Sequence, residues 1–403
     1  MRYDLIIVGG GLVGAGLLLA LRKTNLRIAL IDARLPSLDD PRLFALNDSS
    51  CNFLSNIGLW DKLSSHATAI HEVHVSNQGK FGSVRLKRHD VGLSSLGYVI
   101  PAHIIEQVMH DELMTLPHVS LYRPATLQSL TQTDELATLT LKQETCANEI
   151  ILQSPLVIGA DGTDSTVRAQ LDIKTSMFDY KQSALVTRTQ LKRSHHHIAY
   201  ERFTDDGAIA MLPLADNTCA TIWTAPTDKI SAYMQLSEAE FLQCLQNEFG
   251  YRLGSLHSIA KRYTFPLRMV RANKSFEQCV FLLGNSLHTL SPIAAQGFNL
   301  ALYEVAALIE KITEKLITND AFNVSDLVSV NEQIEKHQAM SIGISHRLSH
   351  QLNAAKNSVW STLAIQFGML ALDLATPVKK RFISGMLGRT KRIPKLLLST
   401  NKW

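Results

Sequence analysis

Cysteine is scarce and poorly placed for chemistry. The chain has 5 cysteines among 403 residues, and none of them forms a Cys-x-x-Cys pair. This scatter argues against a disulfide framework, a metal site and a redox dithiol, and it favours a reducing cytosol. The histidine run His195-His196-His197 has no further ligands at ordered spacing. We therefore interpret it as a solvated loop and expect no metal.

Long apolar runs are also missing. No stretch of 18 or more apolar residues occurs, and the run Leu363–Ala375 is short and contains Asp373. The opening residues, Met-Arg-Tyr-Asp-Leu-Ile-Ile-Val, do not read as a charged start followed by a cleavable apolar segment. We expect a cytoplasmic protein that does not span a membrane.

The chain lacks a strong excess of charge of either sign. Its formal net charge is +4, which is too small to indicate nucleic acid as a partner. Residues 378–403 nevertheless hold eight lysines and arginines and no carboxylate side chain, which leaves the rest of the chain at −4. This basic end predicts either peripheral contact with an anionic surface, such as the cytoplasmic face of the inner membrane, or a solvated tail.

The composition and the hydrophobic pattern predict two interleaved domains. Hydrophobic residues make up 46% of the chain, enough for a large core. The first 32 residues read as a βαβ unit, and buried-strand patterns return near residues 160 and 284. We predict an α/β fold in which a Rossmann-like domain is interleaved with a mostly antiparallel β-sheet domain and followed by a helical C-terminus. The predicted ranges are 1–70, 98–182 and 268–330 for the Rossmann-like domain, 71–97 and 183–267 for the β-rich domain, and 331–403 for the helical region with its basic end.

A glycine turn lies between the first strand and the first helix. Gly9, Gly11 and Gly14 fit the G-x-G-x-x-G pattern, and the helix begins at Leu12 and Val13. The glycines permit a tight turn and a close approach of pyrophosphate, while the helix start offers free N–H groups. Asp32 ends the second strand, where a carboxylate can accept hydrogen bonds from a ribose. Together these features predict a dinucleotide site.

Two further motifs follow buried strands. Asp161-Gly162 comes after the strand near residue 160, and Gly284-Asn285 comes after the strand that begins at Val280. Pro292 and Gly297 then lead into a long helix whose start could stabilise negative charge on a reduced flavin. Each motif alone could be an ordinary turn or helix cap.

The order and spacing of these three motifs resemble those of FAD-dependent aromatic hydroxylases of the para-hydroxybenzoate hydroxylase class. Further segments resemble the ubiquinone-biosynthesis hydroxylase family of the UbiH/VisC type. These segments are Asp40-Pro-Arg-Leu-Phe-Ala-Leu, Glu201-Arg-Phe-Thr-Asp-Asp-Gly and His288-Thr-Leu-Ser-Pro-Ile-Ala-Ala-Gln-Gly-Phe-Asn. The best match within the family is to the hydroxylases of 2-polyprenyl-6-methoxyphenol.

The resemblance implies an FAD-dependent monooxygenase that hydroxylates the ring of this polyprenylated phenol through a flavin C4a-hydroperoxide. It implies bound FAD, NAD(P)H or another transient electron donor, and O2 as co-substrate. Arg42, Pro292 and Gly297 would position the flavin and the ring, and no acid or base is assigned. The implied cofactor-binding residues are Gly9, Gly11, Leu12, Val13, Gly14, Asp32, Arg42, Gln107, Asp161, Gly284, Asn285, Pro292, Gln296, Gly297, Phe298 and Asn299.

Three positions depart from the pattern of the family. Asn285 stands where most relatives have Asp, Gln107 stands where they often have Arg, and Asp32 replaces the commoner Glu. The exchange at Gln107 weakens the pyrophosphate contact that the family pattern would assign there. Asn285 can still hydrogen-bond the ribitol, but it carries no charge.

Several alternatives remain open from the sequence. The chain could hydroxylate another ring position in the same pathway or another aromatic metabolite, or it could act as a flavin reductase or oxidase. It could also be a flavin-binding scaffold subunit without turnover. The expected partners are the prenylated phenol and other proteins of ubiquinone biosynthesis, with no nucleic acid.

Overall fold

The computed structural model describes residues 1–36, 40–79, 82–143, 148–290, 296–320, 322–354, 380 and 393–399, without the side chains of residues 296 and 340–354. Pro292, the run Leu363–Ala375 and most of the basic end lie outside the described residues, and so does the side chain of Gln296. The sheets and helices of the described chain confirm the predicted fold class, an α/β fold with a Rossmann-like half and a β-rich half.

A six-stranded sheet forms the first half of the fold. Its strands are β1 (Leu5–Val8), β2 (Ile28–Ile31), β8 (Val119–Tyr122), β12 (Val157–Gly159), β19 (Phe276–Glu277) and β20 (Val280–Leu282). They lie in the order β19-β20-β12-β1-β2-β8, and every neighbouring pair is parallel except β19 with β20. All four residues of β1 are buried, as expected for a parallel strand that is covered on both faces.

Helices cover one face of this sheet. The helices of the described chain are α1 (Leu12–Leu21), α2 (Asp48–Asn56), α3 (Trp60–Leu63), α4 (Ala102–Met114), α5 (Thr166–Gln170), α6 (Thr227–Gln235), α7 (Glu238–Phe249), α8 (Gln296–Thr318) and α9 (Val324–Ala354). Leu17 of α1, Met109 of α4 and Leu302 of α8 share one buried cluster with Leu5 and Ile7 of β1. Within the described ranges, no helix is both long and apolar enough to cross a bilayer.

A small antiparallel sheet covers the other face. It consists of β9 (Thr126–Gln132), β10 (Ala137–Lys142) and β11 (Ile150–Ser154). Leu139 and Leu152 pack in one cluster with Ile6 and Val8 of β1. The alternation of side chains along β1 therefore fills two separate cores.

The second half of the fold is a nine-stranded sheet. Its strands are β5 (Glu72–Asn77), β6 (Ser83–Lys87), β13 (Thr175–Leu191), β14 (Ile198–Phe203), β15 (Ala208–Pro213), β16 (Thr218–Pro226), β17 (Leu256–Ile259), β18 (Tyr263–Ala272) and β21 (His288–Thr289). The order is β21-β18-β13-β16-β15-β14-β5-β6, with β17 beside β13. Pairing is antiparallel except between β14 and β5.

The two faces of this sheet have different neighbours. On one face Trp223 packs with Phe241 and Phe249 of α7 in a closed core. The opposite face meets a three-stranded sheet of β3 (Leu43–Asn47), β7 (Gly97–Pro101) and β4 (Thr68–Ile70). This three-stranded sheet joins the two halves of the molecule.

The predicted domain ranges stay a prediction, but three of their boundaries fall inside continuous strands. The boundary after residue 97 lies within β7, the boundary after residue 182 lies within β13, and the boundary after residue 267 lies within β18. The β-rich half also contains two helices, α6 and α7. The chain therefore crosses between the halves along strands and not through linkers.

Two other expectations need correction. His195 is buried, and its Nε2 lies 2.8 Å from the carbonyl oxygen of Leu214, so this part of the histidine run is not a solvated loop. Part of the basic end is also anchored. The Nδ2 of Asn56 on α2 donates to the carbonyl oxygens of Leu396 and Leu398 at 2.8 and 2.9 Å.

Candidate functional site

The glycine turn after β1 leaves no room for side chains. Gly9 has a φ of +107°, and a Cβ added there would lie 2.3 Å from the carbonyl oxygen of Ala160. A Cβ at Gly14 would lie 1.9 Å from the carbonyl oxygen of Gly9. The ends of β1 and β12 and the start of α1 therefore approach each other more closely than any other residue type permits.

The start of α1 has the properties of an anion site. Gly11 is its N-cap, no side chain caps it, and its first turn has no acidic residue. A Cβ at Gly11 would meet nothing within 4 Å. Among the described residues, no acceptor partners the N–H groups of Leu12 and Val13 at the helix start, and these groups lie at the positive end of the helix dipole, which favours a phosphate group.

Asp32 lies beside the same turn and is held by an arginine. One carboxylate oxygen, Oδ2, accepts hydrogen bonds from the N–H of Gly10 at 2.9 Å and from Arg123 at 2.8 Å. Oδ1 accepts from the N–H of Arg34 at 3.1 Å. Since a carboxylate has about four acceptor positions, Asp32 can still accept a hydrogen bond from a ribose hydroxyl.

Arg123 was not predicted as a site residue. It follows β8, and its guanidinium also donates to the carbonyl oxygen of Gly10 at 2.7 Å. The side chain is only 10% exposed. A sequence signal existed, because a polar residue directly after a parallel strand lies at the carboxyl edge of the sheet, as Asp32 does.

Arg42 and Gln107 lie near this edge and have partners within the chain. The Nε of Arg42 donates to both carboxylate oxygens of Asp40 at 2.9 Å. Although burial opposes ionisation of Asp40, these bonds lower the pKa of its carboxyl. The Nε2 of Gln107 donates to Asp111 one helical turn away at 2.7 Å. The predicted cofactor contacts of Arg42 and Gln107 stay predictions.

Asp161 has a structural partner set of its own. Its Oδ1 accepts from the hydroxyl of Ser165 at 2.5 Å, and its Oδ2 accepts from the N–H of Val167 at 3.0 Å. The carboxylate thus stabilises the start of α5. Gly162 beside it has a φ of +92° and faces open space.

Arg168 connects the second motif to the third. Its guanidinium donates to the carbonyl oxygen of Thr163 at 2.7 Å and to that of Ser286 at 2.8 Å. It is a second residue that the sequence analysis missed. Its position in the turn-helix segment after Asp161-Gly162 gave no signal for a partner more than a hundred residues away.

A buried carboxylate, that of Glu304, fixes the third motif by a hydrogen bond. The N–H of Gly284, whose φ is +60°, donates to Glu304 at 2.9 Å. Glu304 is fully buried, pairs with His288 and accepts from Gln338 at 3.0 Å. These contacts fix the turn at Gly284, while Asn285 remains exposed at the edge where Val13 packs.

The start of α8 is locked to β3. The side-chain amide of Asn299 donates to the carbonyl oxygen of Ala45 at 2.9 Å and accepts from the N–H of Asn47 at 3.0 Å. Phe298 packs on Phe44 with ring centroids 4.6 Å apart. Asn299 thus connects the third motif to the strand that follows Arg42, and its predicted cofactor contact stays a prediction.

Gly297 is predicted to position the flavin and the ring at the start of this helix. Among the described residues, a Cβ there would meet nothing within 4 Å. The structure brings the three predicted motifs to one edge of the sheet, with glycine turns, free N–H groups and a carboxylate. This set of groups fits the pyrophosphate and ribose of a dinucleotide.

A protein family described as FAD binding domain matches residues 2–321 of the chain. The chain belongs to this family. FAD is therefore its cofactor.

Individual relatives match over most of the chain. An uncharacterized protein of Synechocystis sp. is 30% identical and covers 97% of this chain and 95% of its own length. Ubiquinone hydroxylase UbiL of Rhodospirillum rubrum is 27% identical, with 97% and 91% covered. The 3-demethoxyubiquinol 3-hydroxylase of Escherichia coli is 29% identical, with 76% and 78% covered.

Solved structures agree with the fold. The crystal structure of p-nitrophenol 4-monooxygenase PnpA from Pseudomonas putida has a TM-score of 0.80 at 15% identity. It covers 97% of this chain and 100% of its own. At this identity the likeness concerns the architecture alone.

The glycine turn gives a test with a matched control in the same helix. We expect Gly14→Ala to abolish retention of FAD and to lower the free energy of unfolding by about 1–3 kcal/mol, because its Cβ would overlap the Gly9 carbonyl. Gly16→Ala should keep FAD and raise the free energy of unfolding by up to about 1 kcal/mol, since the nearest neighbours of its Cβ are 3.8 Å away. The flavin-to-protein absorbance ratio measures FAD retention in the two variants, and urea unfolding measures their stability. Equal behaviour of the two variants would contradict the turn geometry.

The ion pair at Asp32 gives a second test. Arg123→Met should weaken FAD binding at least about tenfold and destabilise the fold by about 3 kcal/mol, because it leaves a largely buried carboxylate without its cation. Arg27→Met removes an exposed partner of Asp4 and should cost less than about 1 kcal/mol. Titration with FAD measures the affinity of each variant, and chemical unfolding measures its stability. If Arg123→Met lost no more affinity and stability than Arg27→Met, the result would count against the role of Arg123.

Proposed function

We propose that the chain hydroxylates the aromatic ring of a polyprenylated phenol, 2-polyprenyl-6-methoxyphenol, in ubiquinone biosynthesis. One observation carries the proposal. The flavin-binding edge adjoins, through β3, an apolar face of the nine-stranded sheet whose central side chains are only partly covered. A large apolar substrate with a reactive ring requires such a surface beside the cofactor.

The relatives support the reaction class. The chain is an FAD-dependent aromatic-ring monooxygenase, in line with its family and with relatives whose names include ubiquinone hydroxylase and 3-demethoxyubiquinol 3-hydroxylase. The prenylated phenol follows from those names by similarity. The ring position is our inference from the resemblance of the sequence motifs.

FAD, when bound and reduced, supplies the activated oxygen for insertion into an electron-rich ring. The residues of the chain bind and orient. The N–H groups at the start of α1 bind the pyrophosphate, and Asp32, oriented by Arg123, accepts from the ribose. We propose that Arg42, Pro292 and Gly297 position the flavin and the ring at the junction with β3.

Exclusion of water is the other task of the chain. Activated oxygen that meets water instead of the ring is lost as hydrogen peroxide, so the ring must be held close in a dry site. The apolar side chains of β3 and of the facing sheet supply that environment. NAD(P)H or another donor delivers electrons transiently, and O2 is the co-substrate.

A second candidate is hydroxylation at another ring position of the same pathway. The name of the Escherichia coli relative, which specifies position 3, favours it. The same cofactor site would serve both reactions, and the two differ in how the ring is oriented.

We further propose that the chain works at a membrane surface and beside other proteins of the pathway. A polyprenyl tail dissolves in lipid, and residues 378–403 hold eight cations without a carboxylate side chain, which favours anionic headgroups. The anchoring of residues 396–398 on α2 keeps this end close to the FAD-binding half.

Flotation with liposomes tests the membrane contact. The full chain should float with vesicles that contain anionic lipid, and binding should fall with added salt because the attraction is screened. A chain in which the lysines and arginines of residues 378–392 are replaced by glutamine should stay in the soluble fraction, while residues 396–398 keep their place on α2. Equal flotation of both chains, or none of either, would refute contact through the basic end.

Turnover tests the proposed reaction. The purified flavoprotein, given NAD(P)H, labelled O2 and detergent-solubilised 2-polyprenyl-6-methoxyphenol, should release a product with one labelled oxygen on the ring. Gly14→Ala, which lacks FAD, should release none. Mass spectrometry and NMR of the product identify the ring position.

Three results would redirect the proposal. A product hydroxylated elsewhere on the ring would favour the second candidate. Hydrogen peroxide without a labelled product would indicate a flavin oxidase.

Deletion of the gene in its host is the third test. It should cause a prenylated methoxyphenol to accumulate and ubiquinone to fall. Unchanged ubiquinone would show that the assigned substrate is wrong.

A further inference from the structure

Glu201 is a carboxylate without a partner on an apolar surface. It lies in the middle of β14, paired with Ala210 of β15 and Val75 of β5. Within the described part of the chain it makes no hydrogen bond or ion pair. Carboxylates in such surroundings are normally paired, because burial of an unpaired charge is costly. The structure itself gives Glu201 no stabilising role.

The face that carries Glu201 is the open one. Side chains alternate along a strand, so Tyr200 and Arg202 point to the opposite face, where both are buried. On the Glu201 face, by contrast, the central positions are only partly buried. These positions are Val75, Glu201, Phe203, Ala210, Leu212 and Ile222.

This face looks toward the flavin-binding half. Leu43 and Ala45 of β3 pack against its apolar cluster and are themselves partly exposed. The alternate β3 residues, Phe44 and Leu46, pack on the opposite side in the core of α8. β3 thus lies between this apolar cluster and the helix start that Asn299 fixes. Glu201 shares its face of the sheet with that cluster, at the junction where the proposed function places the phenol ring.

We propose that Glu201 accepts a hydrogen bond from the hydroxyl group of the phenol substrate and takes up its proton as the ring is hydroxylated. The inference rests on the proposed function and adds the group that activates the phenol. The phenol O–H bond breaks, its proton goes to the carboxylate, and the electron pair left on oxygen raises the nucleophilicity of the ring. The oxygen atom comes from O2 through the reduced flavin, as in the proposed reaction.

The apolar surroundings suit this role. Burial raises the pKa of the Glu201 carboxyl to about 7, and no charged group contributes to the shift. The charged groups at the ends of the strands have other partners: Arg42 pairs with Asp40 ahead of β3, and His71 packs on His197. A carboxylate of this basicity is matched to proton transfer near neutral pH. It is ionised, and so active as a base, above about pH 7.

The test uses Glu201→Gln, Glu201→Asp and the control Glu72→Gln in the FAD-loaded protein. Glu72 lies on β5 but on the opposite face, beside Arg85. With the parent protein, the logarithm of kcat/KM for the phenol should rise with pH and level off above about pH 7. Glu201→Gln should lower kcat at least about tenfold, change KM less and abolish that rise. Glu201→Asp should restore part of kcat and the pH dependence, and Glu72→Gln should match the parent.

A binding measurement tests the role of Glu201 independently of the assigned substrate. 4-Nitrophenol absorbs differently as a phenol and as a phenolate, so difference spectra report whether its proton has moved on binding. Above about pH 7 the parent should bind it with a smaller phenolate fraction than Glu201→Gln does at the same pH, even if the prenylated phenol is not turned over, because an ionised Glu201 that accepts from the hydroxyl opposes a second negative charge beside it. Equal phenolate fractions in the two proteins, no binding to the parent, or a pH profile unchanged in Glu201→Gln would overturn the role of Glu201.

Discussion

The close approach of backbone at the end of β1 is the constraint on which the rest of the site depends. Gly9 touches the carbonyl of Ala160, and Gly14 touches the carbonyl of Gly9, so β1, β12 and α1 converge without any side chain between them. This convergence leaves the N–H groups of the α1 start open to a ligand. It also places the second motif beside the first, and Arg168 then extends the contact to the third.

Polar groups buried behind the loops keep this edge in place. Arg123 holds Asp32, and Glu304 holds the turn at Gly284, each through hydrogen bonds with little exposure to solvent. Charge-assisted bonds of this kind are stronger than neutral ones. The chain thus places its charged groups where they orient the backbone and leaves N–H groups and open space for FAD.

The sheet of β3, β7 and β4 joins two separate cores. Its β3 strand packs on α8 with one set of side chains and on the nine-stranded sheet with the alternate set. The period of two along a strand makes this double contact possible. As a consequence, β3 connects the start of α8 and Arg42 to the face of the sheet that carries Glu201, and we propose that the flavin and the phenol ring meet there.

Local patterns in the sequence predicted the parts of the site that depend on backbone alone. The buried runs of β1 and β12 and the glycine spacing identified the Rossmann-like half, since those requirements are local. The partners of Asn299, Arg168 and Glu304 could not be predicted, because each lies far away in sequence and depends on tertiary packing. The same holds for Glu201, whose segment resembles the family pattern, because its lack of a partner among the described residues is visible only in the folded chain.

A crystal structure of the chain with FAD and a bound phenol is the most direct test of how the two halves form one site. We predict the pyrophosphate at the N–H groups that follow Gly11, the flavin ring at the start of α8, and the phenol hydroxyl within hydrogen-bond distance of Glu201. A flavin ring on another side of the molecule, or a phenol bound with its hydroxyl away from the nine-stranded sheet, would contradict this arrangement.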